Sequence, residues 1–237
     1  MHRPLETTYA APLTVAGQLR RSLAGWPYWR VVLVLALAGL AALVIDLPLA
    51  RPAHDHTWPK AVPEQLQRFE VFGYGVTAGV VLIVVWVLDP RRRSAMPRLA
   101  LMVFGAGLTA NGIKLLLARI RPRDFEFQGD IWTTFGQWFA LGSGGSRFHS
   151  FPSAHTAVAV GLAVALSVMY PRGRWLFALF AVLVGCQRVV SGAHYSSDVL
   201  WGAAVGWLVA VGVGRASLAR LGFAHWENAS GAAQFSD

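Results

Sequence analysis

From Val31 to Ile45 the chain carries fifteen consecutive apolar residues. As a helix they cover about 22 Å, short of the roughly 30 Å of a bilayer's hydrocarbon core. Trp26, Tyr28 and Trp29 at the start of the run can extend it as an interfacial aromatic belt. This first segment, about Trp29 to Ile45, is followed by five more: about Phe69–Leu88, Leu99–Arg119, Pro152–Tyr170, Trp175–Val190 and Asp198–Val213. Hydrophobic residues make up 55% of the 237 and charged residues 14%, against roughly 25% charged in ordinary soluble domains. That balance excludes a disordered chain, a coiled coil and an ordinary water-soluble enzyme. The reading is an all-α polytopic membrane protein with six transmembrane helices, comprising an N-terminal segment 1–28, a six-span domain 29–217 and a tail 218–237.

The net charge of +9 suits nucleic acid in general, but here the basic residues lie between apolar segments rather than on one soluble face. The lone Cys186 excludes an intrachain disulfide. Thirty residues precede the first apolar run and no small-x-small site follows it, so it reads as an uncleaved helix rather than a signal peptide. With six spans, one side receives both termini and the Asp89–Arg98 and Pro171–Arg174 links. Twelve of the 21 Lys and Arg fall there, among them Arg91-Arg92-Arg93 and Arg98. Nine fall opposite, three of which belong to the site described next. The positive-inside rule then puts both termini in the cytoplasm of a plasma membrane, with the opposite face towards the periplasm or exterior. The long 120–151 connection on that face mixes aromatics with a Gly142-Ser143-Gly144-Gly145-Ser146 stretch. It is either a packed cap or a segment lying in the headgroup zone. Gly202 and Gly206, separated by three residues in the last segment, suit close helix contact.

Three polar clusters stand at the outer ends of these segments. Lys114 is followed after six residues by Arg121-Pro122. In a helix that separation puts both cations on one face, and Pro122 pushes Arg121 out of helical geometry. Phe151-Pro152-Ser153-Ala154-His155 opens the fourth segment, with Pro suited to the first helical position. The N–H groups of Ser153 and Ala154 are then available to an anion, one turn from His155. Last come Arg188, five residues on His194, and three further on Asp198. There a carboxylate can hold one imidazole nitrogen and leave the other free, with Gly192 allowing the turn. Singly, each cluster has a structural reading: a snorkelling lysine, a common Pro-Ser cap, and an acidic helix cap. Together, three cations, two imidazoles and a helix N-terminus describe a cradle for a tetrahedral, multiply charged anion. A metal held by His155, His194 and Asp198 is disfavoured by those cations. His54 and His56 read as an ordinary polar turn, and His149 as a residue that can line the entrance.

The order Lys-x6-Arg-Pro, Pro-Ser-x-His and Arg-x5-His-x3-Asp, nine specified residues between Lys114 and Asp198, resembles the type 2 phosphatidic acid phosphatase superfamily in its integral-membrane lipid phosphatase branch. Two positions depart from the family pattern: Ala154 stands where Gly is usual, and Gln187 where Ser usually precedes the Arg. The resemblance implies phosphoryl transfer without metal or other cofactor, through a phosphohistidine. Lys114, Arg121, Ser153, Ala154 and Arg188 hold the phosphate; His194 attacks, Asp198 orients it and His155 protonates the leaving oxygen. The expected substrate is a lipid phosphate or lipid pyrophosphate taken from the outer leaflet. Phosphatidic acid, phosphatidylglycerol phosphate, undecaprenyl pyrophosphate and a lipid A phosphate all fit. Two alternatives stay open: a phosphotransferase that passes the group to a lipid or sugar hydroxyl, and an anion or lipid transporter that uses the same cations without turnover.

Overall fold

The computed structural model describes residues 23–139 and 145–216. Among the described residues eight α-helices run α1 Tyr28–Ala42, α2 Asp46–His54, α3 Ala61–Gln67, α4 Gly75–Leu88, α5 Met96–Leu116, α6 Ala154–Met169, α7 Arg174–Val190 and α8 Ser196–Arg215, with short 3-10 turns in several of the links. Every apolar segment of the sequence overlaps one of these helices. The expected 1–28 and 218–237 segments fall almost wholly outside the described residues.

Two features depart from the sequence reading. The fold is not purely helical, because β1 (Leu117–Arg119) pairs antiparallel with β2 (Phe135–Trp138). The helix expected to run to Arg119 ends at Leu116, and Leu117 is already extended. Backbone bonds from Ile120 to Thr134 (2.8 Å) and from Phe139 to Leu116 (2.7 Å) then take up groups that a helix would have satisfied. Among the described residues, three or four helices rather than six have the length of a full span. Pro90–Leu116, Pro171–Val190 and Ser196–Arg215 are long and apolar enough to cross a membrane. α1 and α2, bent by 69° at the break, make a fourth if counted as one span. α4 and α6 are apolar but have 14 and 16 residues, about 21 and 24 Å.

α6 is the central helix. Its small residues, including Ala157, Ala159, Gly161, Ala163 and Ala165, are buried among α5, α7 and α8. Between apolar helices in lipid the driving force is close packing rather than exclusion of water, and the glycines permit it. A Cβ on Gly161 would lie 2.9 Å from the Met102 carbonyl oxygen, and one on Gly206 2.6 Å from that of Ala157. Gly202 abuts the backbone of Ser153, so the expected Gly202/Gly206 contact face is present and packs α8 onto α6. Outward-facing Val76, Leu88 and Leu108 are more than two-thirds exposed, as suits a lipid-facing surface.

At the end of the bundle away from the site, three arginines tie down helix ends. Arg98 donates to the carbonyls of Val213, Gly214 and Ala216 (3.1, 3.0 and 2.6 Å) at the C-terminus of α8. Arg92 donates to Met169 O at the end of α6, and Arg215 to Leu23 O and Trp26 O. Cations at helix C-termini satisfy orphan carbonyls and complement the dipole.

Candidate active site

The other end of the bundle gathers the three clusters. Lys114 sits in the last turn of α5, Arg121 just past β1, Ser153 at the N-cap of α6, and Arg188 in the last turn of α7. Asp198 lies in the first turn of α8. The charge of Lys114 acts on Arg121, Asp198 and Arg188. That of His155 is coupled to Arg188, His194, Glu70 and Lys114. Motifs spread over 85 residues, from Lys114 to Asp198, therefore meet. Lys114 and Arg121 do not share a helix face as the spacing suggests; the helix ends between them, and the strand carries Arg121 to the site.

His194 is fully buried, and its Nδ1 lies 2.6 Å from the backbone oxygen of Ser150, while the nearer Asp198 oxygen is 3.8 Å away. A carbonyl can only accept, so Nδ1 carries the proton and Nε2 keeps its lone pair. Asp198 thus does not orient His194 by a direct hydrogen bond, as the spacing suggests. Its Oδ2 instead accepts from Ser150 Oγ (2.6 Å) and from the Tyr195 backbone N–H (2.9 Å), capping α8 and fixing the residue whose carbonyl holds His194. Burial, with Lys114 and Arg121 close by, lowers the His194 imidazole to about 4 against the pull of Asp198. The ring is therefore neutral at neutral pH.

Behind Asp198 stands Arg119, which sequence reading did not single out. It is fully buried and donates to Thr134 Oγ1 (3.2 Å), Ser197 Oγ (2.8 Å), Asp46 Oδ2 (2.9 Å) and Asp198 Oδ1. Its guanidinium lies between the Tyr195 and Phe135 rings, 4.1 and 4.5 Å from their centroids. Although burial works against it, the Asp198 and Asp46 carboxylates hold Arg119 firmly charged. Asp46, the first residue after the uncharged run, also accepts from the Ser197 N–H (2.9 Å), which pins α2 across the start of α8. The sequence signal for Asp46 was its place at the end of a membrane segment, where an ionisable residue is costly; for Arg119 it was a third cation between Lys114 and Arg121.

Ser153 departs from expectation. Its N–H donates to the Asp198 carbonyl (3.0 Å), so it is not free for an anion. Its Oγ accepts from the Thr156 hydroxyl (2.9 Å) and N–H (3.4 Å) as the N-cap of α6. Pro152 lies before that cap rather than at the first helical position, which Ala154 takes. Gly192 adopts φ +65°, a left-handed conformation that makes the turn anticipated there.

Arg188 is not bare. Its guanidinium pairs with Glu70 Oε1 at 2.5 Å, and its Nε donates to Gln187 Oε1 at 2.6 Å. Glu70 belongs to a short 3-10 turn, Glu70–Gly73, wedged between α6 and α7. Gly73 makes that wedge possible: a Cβ there would lie 3.0 Å from His155 O.

Arg121 Nε, His149 Nε2 and His155 Nε2 are buried without a hydrogen-bond partner among the described residues. Buried polar atoms are normally paired, so a polar guest fits among them. Burial together with Lys114 and Arg121 pushes the His149 imidazole down, which places His149 beside those cations. An apolar cleft of about 950 Å³ opens elsewhere, between α7 and α8 over α6. Thr156 lines it, but none of the expected site residues does.

Residues 95–220 match the PAP2 superfamily, and the chain belongs to that superfamily. It is 40% identical over 101 residues to a lipid A 1-phosphatase of Rhizobium johnstonii, covering 43% of this chain and 39% of that one. A lipid A 1-phosphatase of Rhizobium etli is 38% identical over 102 residues, 43% of this chain and 41% of that one. The match thus spans about two fifths of the length of these relatives. The bacitracin transport permease protein BcrC of Bacillus licheniformis is 36% identical over 63 residues, 27% of this chain and 31% of that one. The fold is similar to the crystal structure of Aquifex aeolicus LpxE, with a TM-score of 0.55 and 22% identity over 71% of this chain and 94% of that one.

Proposed function

We propose that this chain is a membrane lipid phosphatase whose nucleophile is His194. The observation that carries the reading is the 2.6 Å contact of His194 Nδ1 with Ser150 O. It leaves Nε2 as the lone-pair nitrogen of a neutral ring in a pocket of cations. Lys114, Arg121 and Arg188 stabilise the phosphoryl oxygens, where most of the catalytic advantage in phosphoryl transfer lies. Nε2 attacks phosphorus as the bond to the lipid oxygen breaks, and His155 gives that oxygen its proton. His155 then takes a proton from water, whose oxygen displaces Nε2 and releases inorganic phosphate. No metal enters these steps. Asp198 supports them indirectly through Ser150, and Ser153 as the cap that joins α6 to α8. The Ala154 N–H, at the first position of α6, faces the same anion.

The names of the Rhizobium relatives favour a lipid A 1-phosphate as the first substrate to test. The positive-inside bias supports six membrane segments, with the termini in the cytoplasm and the site at the outer leaflet. α4 and α6 then rely on interfacial residues to complete their spans. The word permease in the BcrC name favours a second reading, an anion or lipid transporter with the cations as a binding site. Purified protein offered lipid A 1-phosphate, phosphatidic acid, phosphatidylglycerol phosphate and undecaprenyl pyrophosphate in detergent separates the two. The phosphatase releases phosphate from at least one, in the presence of chelator, and H194A loses more than about a thousandfold of that rate. Absence of release from all four favours transport; release that chelator stops and zinc restores overturns the metal-free route.

A further inference from the structure

Gln187, the position that departs from the family pattern, is the hub of a polar module on one of the three cradle cations. Its Oε1 accepts from Arg188 Nε (2.6 Å), while its Nε2 donates to Gln67 Oε1 (2.9 Å) and Glu70 Oε2 (3.3 Å). Gln67 also donates to Glu70 Oε2, and the Tyr74 hydroxyl donates to Oε1 (2.8 Å). Glu70 is 7% exposed and Gln187 2%. A serine hydroxyl could not reach both Arg188 and Glu70, so the longer amide couples them. The guanidinium has five N–H donors in a fixed fork. Here the Nε and one terminal nitrogen are engaged, which leaves the other terminal nitrogen for a ligand.

A carboxylate this close to a cradle cation repels any anion that the cradle takes up. The wedge also carries the Tyr74 ring, edge-on to His155 at 5.0 Å between centroids. The titratable groups facing His155 are Arg188 from α7, Lys114 from α5, His194 from the α7–α8 link, and Glu70; Glu70 is the one carboxylate among them.

Building on the phosphatase reading, we propose that Glu70 is the resident counter-ion of the phosphate cradle. It holds Arg188 when phosphate is absent and weakens the grip on phosphate, so that the product leaves, while Gln187 and Gln67 act as positioning residues that keep the carboxylate on the guanidinium. The reaction profits twice, from faster release of a multiply charged product and from a carboxylate near the proton donor His155.

The test is binding of orthovanadate and inorganic phosphate by calorimetry, with turnover measured in parallel. E70Q keeps the size of the side chain and one of its two accepting oxygens. It is expected to bind both anions on the order of tenfold more tightly, with lower KM and lower kcat. The loss of kcat is expected to be larger for a lipid alkoxide leaving group than for p-nitrophenolate, which needs no proton. Q187S is expected to shift the same way by a smaller factor. A merely structural role predicts weaker anion binding in both variants. Equal or weaker binding by a folded E70Q whose parent binds vanadate overturns the counter-ion role alone. Absence of binding by both chains overturns it together with the phosphatase reading, and binding by E70Q but not by its parent supports it.

Discussion

Replacing Arg119 with Met removes the cation that holds two fully buried carboxylates, Asp46 and Asp198. Met fills similar space but leaves both charges uncompensated, along with the hydroxyls of Thr134 and Ser197. Removing one partner of a buried pair costs about 3–5 kcal/mol. At about 2–4 °C per kcal/mol for a chain of this size, melting falls by roughly 6–20 °C. Ten tryptophans make intrinsic fluorescence in detergent a suitable probe. R119K should fall between parent and R119M, since an ammonium keeps the charge but cannot span four acceptors as the guanidinium fork does. A shift below about 2 °C for R119M would refute the argument that this network braces Asp198 and the start of α8.

The depressed His194 imidazole makes a pH prediction. Because the folded ring sits at about 4 instead of 6.5, it stays unprotonated as pH falls through 6.5 and is lost as a nucleophile only on approaching 4. The kcat/KM profile, corrected for the substrate's second ionisation, should hold down to about pH 5 and then fall; an enzyme-derived acid limb centred at 6.5 would contradict this. G202A drives a methyl into the Ser153 backbone at the site and should lower both stability, by about 1–3 kcal/mol, and kcat/KM. G206A meets Ala157 one turn further from the site and should cost stability while the folded fraction keeps its kcat/KM.

What the sequence makes legible is what repeats locally. The apolar runs mark the helices, and Gly202 with Gly206 marks the face on which α8 rests. The three motifs mark residues that the fold brings to one end of the bundle. Less legible is whatever depends on partners far apart in the chain. Arg119 reaches Asp46 across 73 positions and Asp198 across 79, and no local period connects them. The spacing of His194 and Asp198 suggests a direct bond, but the Ser150 carbonyl from the preceding loop takes that place. Likewise Arg188 reads as a free cation because Glu70 lies 118 positions earlier, in a segment that reads simply as the start of a membrane helix. Even the positive-inside count merges two roles, since Arg92, Arg98 and Arg215 also close helix ends.

The covalent step can be observed directly. Parent protein mixed with a substrate that it hydrolyses, quenched in alkali within one turnover and digested, should yield an acid-labile phosphate on the peptide containing His194, absent from H194A and accumulating in H155A with a good leaving group. Phosphate carried by another residue, or rapid hydrolysis with no phosphopeptide at any quench time, would contradict the account.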